Sequence, residues 1–310
     1  NVRLEEGCRV LSLMLAHDRG SIAGLQCKRD GRSETLRADL IVDASGGGDL
    51  TLGALPAAPP ETTIGVDIGY SSAVFAIPSD APTDWKGVMV FPDAPKSGRA
   101  GLMIPVEGHR WMLALAGRAG DQMPGDETGL RSYAATLRTP TIARSIEKAT
   151  MVSDVERYRF VESRLRHFER LDSFQAGLLP LGDAICRFNP VFGQGMSVAA
   201  LQANALASLL GDCASGKLSI CDLWRPFFKR VAAIVEAPWE FAAVPDFIFP
   251  ETRGERPPNL ELSLRFGAAL NQAAARHPDI HKLAAEVQHL LVPRSALTEP
   301  HVLDRVMAEM

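Results

Sequence analysis

Between Leu178 and Ala203 a short apolar run ends at Gly182, Asp183 and Ala184, and a turn of Asn189, Pro190, Val191, Phe192, Gly193, Gln194, Gly195 and Met196 leads into an Ala-rich helix. Each part has a chemical use. A carboxylate at the end of a strand accepts hydrogen bonds from sugar-alcohol hydroxyls, and a glycine before it removes the side chain that would block approach. Gly193 and Gly195 leave backbone N–H groups open beside a helix start, whose partial positive charge favours an anion. Pro190 adds rigid apolar surface. The N1–C2=O edge of a reduced flavin is an anion of this kind, and donors fixed in advance at such an edge favour the reduced ring by a few kcal/mol, the scale of one oxyanion-hole donor.

A second loop lies upstream. The run from Ala38 to Ala44 closes on Asp43, Ala44, Ser45, Gly46, Gly47 and Gly48, which is how a buried parallel strand ends at a loop facing a ligand. Other candidates read more simply as structure. Ser197 sits in a run that imitates a hydrolase elbow, but no strand ends just before it, so it is a helix-start serine. His277 and His281 stand four apart, yet Pro278 follows the first His where a metalloprotease pattern needs Glu, so a solvated helix face is the better reading. Phe75, Met103, Trp111, Met112, Leu113 and Leu115 read first as sheet core and second as an apolar pocket. His109 belongs to an exposed hairpin turn, and Arg253, Glu255 and Arg256 to an exposed loop, with a closing lid as the sharper alternative.

The elements that must carry these loops are legible in outline. Arg9 to Ala16 and Ser21 to Cys27 form a hairpin around His17, Asp18, Arg19 and Gly20, with a second turn at Asp30 and Gly31. The Ala/Pro stretch from Pro56 to Pro60 marks a boundary near residue 60. Ile64 to Ile77, Gly87 to Phe91, Gly101 to Pro105 and Arg110 to Ala116 predict an antiparallel sheet. Leu130, Tyr133, Ala134 and Leu137 repeat at helical spacing, and Pro140 opens a second helix holding Ile142 and Ile146, so two helices cover that sheet. Val155 to Arg164 returns as a strand, Gly177 to Leu181 is a short buried strand in spite of Pro180, and a helix runs from about Gln194 to Leu210. Beyond Leu223 the pattern is helical, with breaks at Pro238, Pro245 and the loop from Arg253 to Pro258.

Composition agrees with a globular enzyme-sized chain. Three hundred and ten residues, 46% hydrophobic and 23% charged, carry a formal net charge of -4, which excludes a basic nucleic-acid footprint. Cys8, Cys27, Cys186, Cys213 and Cys221 form no C-x-x-C pair, which argues against a disulfide framework or zinc cluster and for reduced thiols in a cytoplasm. The longest uncharged stretch, Phe188 to Gly211, is too polar to span a membrane. No metal site is expected.

Gly-Asp-Ala, then Asn-Pro, a Gly-Gln-Gly-Met turn and an Ala-rich helix together resemble the second flavin-binding motif of FAD-dependent aromatic-hydroxylase-like monooxygenases, a group that includes squalene-epoxidase-like and polyketide epoxidases. The resemblance implies that Asp183 contacts the FAD ribityl chain and that Pro190, Gly193, Gln194, Gly195 and Met196 line the isoalloxazine. Ala38 to Asp49 is similar to the family's strand ending in Asp-Ala-Ser-Gly-Arg-x-Ser, with Gly47 in place of the Arg and Asp49 in place of the last Ser. Asp43, Ala44, Ser45, Gly46 and Gly182 complete the implied cofactor-binding set. Tyr158, Arg159, Phe160, Arg164, Arg166, His167 and Phe168 resemble an Arg- and His-rich strand of the family and carry no assigned role.

The implied fold is α/β with α+β. An FAD-binding domain of the glutathione-reductase/aromatic-hydroxylase type takes residues 1–60 and 170–215, an antiparallel-sheet substrate domain takes 61–169, and a C-terminal helical region takes 216–310. The G-x-G-x-x-G fingerprint that holds the FAD pyrophosphate in that family does not occur here, since Gly46 with Gly48 and Gly193 with Gly195 lack a third glycine. This predicts a chain without the N-terminal βαβ segment, roughly a hundred residues, that by itself binds FAD weakly. The implied activity is a monooxygenase, hydroxylase or epoxidase. NADH or NADPH reduces FAD, O2 gives a C4a-(hydro)peroxide, and a small apolar or aromatic substrate takes one oxygen, with no side-chain catalyst assigned. Two alternatives stay open: a flavin reductase of isoprenoid double bonds on the same fold, and a non-catalytic remnant lacking the pyrophosphate site. A flavin halogenase fits less well, because the sequence has no W-x-W-x-I-P run.

Overall fold

The computed structural model describes residues 2–17, 20–81, 85–118 and 120–310, which form two compact units. The first unit takes Asn1–Thr63, Ser163–Pro245 and Pro257–Met310; the second takes Ile64–Glu162 and Asp246–Arg256.

The first unit opens with β1 (Cys8–Leu15), β2 (Ile22–Arg29) and β3 (Arg32–Arg37), a three-stranded antiparallel sheet. The hairpin tip expected at Asp18 and Arg19 lies outside the described residues, while the second turn puts Asp30 and Gly31 at positive φ as a tight turn requires. β4 (Ile41–Asp43) follows, then α1 (Asp49–Ala54), a short helix that no sequence signal announced. The long strand β5 (Glu61–Ala76) leads into the second unit.

There β6 (Val88–Val90), β7 (Ala100–Val106) and β8 (Arg110–Gly117) join β5 in an antiparallel ladder. α2 (Glu127–Ala135) and α3 (Thr141–Ile146) come next, then β9 (Thr150–Met151) and β10 (Glu156–Arg166), which both pair with β5. The core of this unit is the face of the sheet under the two helices. Phe75, Met103, Trp111, Leu113 and Leu115 are all buried against Leu130, Tyr133, Ala134, Leu137, Ile142 and Ile146, so period-two alternation meets period-3.6 spacing as predicted. Those five sheet residues are therefore core, and Met112, 39% exposed, points to the other face. Arg253 is held rather than loose, because its backbone pairs with Gly65 in both directions.

Back in the first unit, β11 (Leu178–Pro180) pairs in parallel with β4, matching Ile41 to Leu178, Val42 to Leu179 and Asp43 to Pro180. Parallel pairing puts the loops after both strands at the same end of the pair, the geometry that α/β proteins use for ligands. Pro180 is accommodated as the last residue of its strand. β12 (Cys186–Arg187) is followed by α4 (Gly195–Ala214) and α5 (Trp224–Ala242). Their core holds Phe168, Phe174, Leu178, Leu179, Val198, Leu206, Phe227 and Phe228, with the rings of Phe168 and Phe228 stacked at 5.1 Å.

Pro238 does not break the helix, contrary to expectation. α5 runs through it, since Val231, Val235, Pro238 and Ala242 are all buried, and that packing outweighs the one hydrogen bond a proline removes. α6 (Leu260–Arg276), α7 (Pro278–Gln288) and α8 (Pro300–Met307) close the chain around a small core of Ala269, Ala273, Ile280, Val287, Val302 and Val306. His277 is the extended residue between α6 and α7, so it does not share a helical face with His281 as the spacing suggested. Among the described residues no helix is long and apolar enough to cross a membrane, and no cluster of His, Cys, Asp and Glu could hold a metal ion.

Candidate functional site

The loop after β4 is organised by one buried carboxylate. Asp43 Oδ1 accepts from the Ser45 N–H at 3.1 Å and the Ser45 hydroxyl at 2.6 Å, while Oδ2 accepts from the Thr51 N–H at 3.1 Å and the Thr51 hydroxyl at 2.7 Å. Burial pushes this carboxyl up, and the four hydrogen bonds overcome it and hold its pKa below the ordinary aspartate value. With both oxygens engaged, Asp43 fixes the course of Ala44, Ser45 and Gly46 and the start of α1. Gly48 caps that helix at φ 72°, where only glycine is relaxed, and a Cβ there would lie 2.9 Å from Arg166 Nη1.

Arg166 ties this loop to the one after β11. It is 3% exposed; Nε donates to Glu61 Oε1 at 2.8 Å, and Nη1 donates to the carbonyls of Gly47 and Ala184, each at 2.8 Å. A second tie comes from α4, where the fully buried Gln202 accepts through Oε1 from the Gly182 N–H at 2.7 Å. Gly182 sits at φ 66°, the left-handed conformation that turns the chain sharply after the strand and presents Asp183. Asp183 itself is exposed. The surrounding loops still take enough water from its carboxyl to raise its pKa above the ordinary value, against the pull of the Arg187 charge.

Three segments converge on Asp183. A Cβ placed on Gly46 would lie 3.8 Å from Asp183 Cβ, and one on Gly195 would lie 3.9 Å from Asp183 Oδ1, so both glycines leave a cradle that larger residues would fill. Between them, Asn189 accepts through Oδ1 from the Val191 N–H at 3.2 Å and sets a single 3-10 turn from Pro190 to Phe192. Gly193 ends that turn with no atom within 4 Å of where a Cβ would be. α4 then starts at Gly195 with no capping hydrogen bond from the Gln194 side chain, and Met196 is 88% exposed. Gln194 is buried and donates to the carbonyl of Gln288 at 3.0 Å, while its Oε1 and the Nε2 of Gln202 have no partner among the described residues.

The structure thus brings Asp43, Ala44, Ser45, Gly46, Gly182, Asp183, Gly193, Gln194, Gly195 and Met196 to one end of the β4–β11 pair, with Pro190 exposed on the connecting turn. Ser197 lies inside the first turn of α4, as a helix-start serine does. Thr51 and Gln202 are the participants that motif reading missed, and Arg166, singled out in the sequence with no role assigned, ties the two loops. Arg166 sits among other charged residues from Arg157 to Arg170 and Gln202 two residues from Asn204, so only tertiary structure shows which loops they hold.

A family model described as FAD binding domain matches residues 2–219. The chain is 30% identical over 233 residues to Protein Rv3254 of Mycobacterium tuberculosis, covering 72% of this chain and 47% of that protein, so it spans about half the length of that relative. Among solved structures it is similar to OxyS anhydrotetracycline hydroxylase from Streptomyces rimosus, at 18% identity, 94% of this chain, 53% of the other and a TM-score of 0.62. A triple mutant of the flavin-dependent brominase Bmp2 is similar at 16% identity, 97% of this chain, 69% of the other and a TM-score of 0.62. At these identities the likeness to the two structures is one of fold.

Proposed function

Because this chain belongs to the FAD binding domain family, we propose that the cradle around Asp183 holds FAD and that the protein is a flavin-dependent oxidoreductase of the monooxygenase type. The observation that carries this reading is the convergence of Gly46, Asp183 and the uncapped start of α4, in which glycines keep open the space a flat ring and its sugar-alcohol chain would need. Bound there, FAD would pass two electrons from NADH or NADPH to O2, one atom of which would go to a small organic substrate while the other leaves as water.

The chain's own residues would bind and orient. Asp183 accepts from ribityl hydroxyls, which a carboxylate at a strand end is placed to do. The N–H groups of Gly195 and Met196, with the helix dipole behind them, stabilise negative charge on the ring edge. Pro190 and Phe192 exclude water from one side. Asp43, Arg166 and Gln202 hold the loops and touch no reacting atom. Residues 1–60 and 170–215 thus serve the cofactor, and 61–169 serve the substrate.

Titration of the chain with FAD, followed by quenching of flavin fluorescence, tests the site. Saturable binding that weakens at least tenfold in Asp183→Ala, with an unchanged circular dichroism spectrum, supports it. Equal affinity in that variant removes Asp183 from the site.

A further inference from the structure

All five cysteines are free thiols, but two of them are neighbours. In the register of β1 on β2, Cys8 stands opposite Arg29 and Val10 opposite Cys27. Opposed and alternate residues of a sheet share a face, so Cys8, Cys27 and Arg29 project from the same side. There the Cys8 and Cys27 thiols are hydrogen-bonded to each other, and the Arg29 guanidinium is hydrogen-bonded to Cys8. The same guanidinium also meets Glu5 at 3.0 Å and Glu34 at 3.7 Å, which holds it in place over the sulfur.

The two sulfurs are unequally placed. Cys27 is completely buried, and its hydrogen bond to Cys8 together with that burial holds its thiol above the ordinary value. Cys8 is half-buried and has a guanidinium beside it, so it is the sulfur that an oxidant reaches first. The backbone leaves room for a bond between them. Cys8 is the first residue of β1 and follows Gly7, which stands at φ 64° with nothing within 4 Å of where a Cβ would be, so this strand end can close from hydrogen-bond contact to covalent distance. β1 is also the edge strand of its sheet, and the shift disturbs no second ladder.

We propose that Cys8 and Cys27 are an oxidisable dithiol, which hydrogen peroxide converts to a disulfide that staples β1 to β2. The Cys8 sulfur attacks one peroxide oxygen. An S–O bond forms, the O–O bond breaks, and the other oxygen leaves as water with the Cys8 thiol proton, giving a sulfenic acid. The Cys27 sulfur then attacks the Cys8 sulfur, and the displaced hydroxyl takes the Cys27 proton and leaves as the second water. Two thiols lose two electrons and two protons, which reduce one peroxide. No part of this step depends on the flavin reading.

Trypsin places the two sulfurs on different peptides, Leu4–Arg9 and Gly20–Lys28. The native chain is treated with a small excess of hydrogen peroxide, its remaining thiols are blocked with N-ethylmaleimide in denaturant, and the digest is read by mass spectrometry. The main oxidised product has the summed mass of these two peptides less two hydrogens and disappears after treatment with dithiothreitol. Dimedone, which traps sulfenic acids, labels Cys8 in Cys27→Ser about fivefold or more above its labelling of Cys27 in Cys8→Ser, with circular dichroism confirming that both variants fold. Two unlinked peptides under conditions that oxidise the exposed Cys221 overturn the proposal, as does linkage of either peptide to Cys213 or Cys221 in place of the other. Equal dimedone labelling of the two variants, or a link that forms as fast in the urea-unfolded chain, overturns it as well, because the contact in the fold would then direct nothing.

Discussion

Two aspartates at the ends of neighbouring strands do opposite work, and their surroundings decide which. Asp43 is buried under four donors, so its charge stabilises the fold. Its folded pKa is lowered, hence its contribution is complete above the unfolded value near 3.8 and is lost as the pH falls through the lower folded value. Thr51→Val removes the 2.7 Å hydroxyl donor. It should cost about 1–3 kcal/mol in urea unfolding at pH 7 and less at pH 2, where protonation has already weakened the bond. Asp183 has a raised pKa with no donor to it among the described residues, so its charged form costs stability at neutral pH, and the cost disappears as the pH falls through the folded value. Asp183→Asn should therefore raise the melting temperature of the FAD-free chain at pH 7 by about 1–2 °C while weakening FAD binding. A structural aspartate would lose on both counts, so an unchanged or lower melting temperature speaks against this assignment.

At the scale of elements the cradle depends on three segments far apart in sequence being held level. The β4–β11 register aligns the two strand ends, Arg166 bonds both loops, and Gln202 links α4 to Gly182. Arg166→Met strands the carbonyls of Gly47 and Ala184 and releases Glu61; a loss of about 3 kcal/mol in stability is expected, accompanied by weaker FAD binding. Gln202→Leu should show the same coupling at about 1–3 kcal/mol, since it orphans the Gly182 N–H. Strands, the helices over the sheet and both glycine-bearing loops were legible in the sequence because alternation, spacing and turn residues are local signals. The ties were not, because Arg166 lies 119 residues from Gly47 and no local pattern encodes that pairing. Pro238 shows the same limit from the other side, as a strong local breaker was overruled by the buried face of α5. α1 escaped notice because six residues that start from a left-handed glycine carry too little periodicity to read.

Each of the two units has its own hydrophobic core, so ligands of different chemistry should leave separable footprints on the molecule. Amide hydrogen exchange on the chain with saturating FAD should slow at 43–48, 182–184 and 193–198, which line or support the cradle. The strand Arg110–Gly117, deep in the other core, should stay as it was. The reaction class needs a test at the same scale, because binding a flavin does not decide what the flavin is used for. A small-molecule extract incubated with the FAD-loaded protein, NADPH and 18O2 and followed by mass spectrometry should yield products heavier than their precursors by a single labelled oxygen. Products that gain two hydrogens and no label, at a rate independent of O2, would make the protein a reductase. In that case the cradle proposal stands, because donors at the start of α4 would favour a reduced ring whichever acceptor the electrons reach next, and only the oxygen-transfer step is withdrawn.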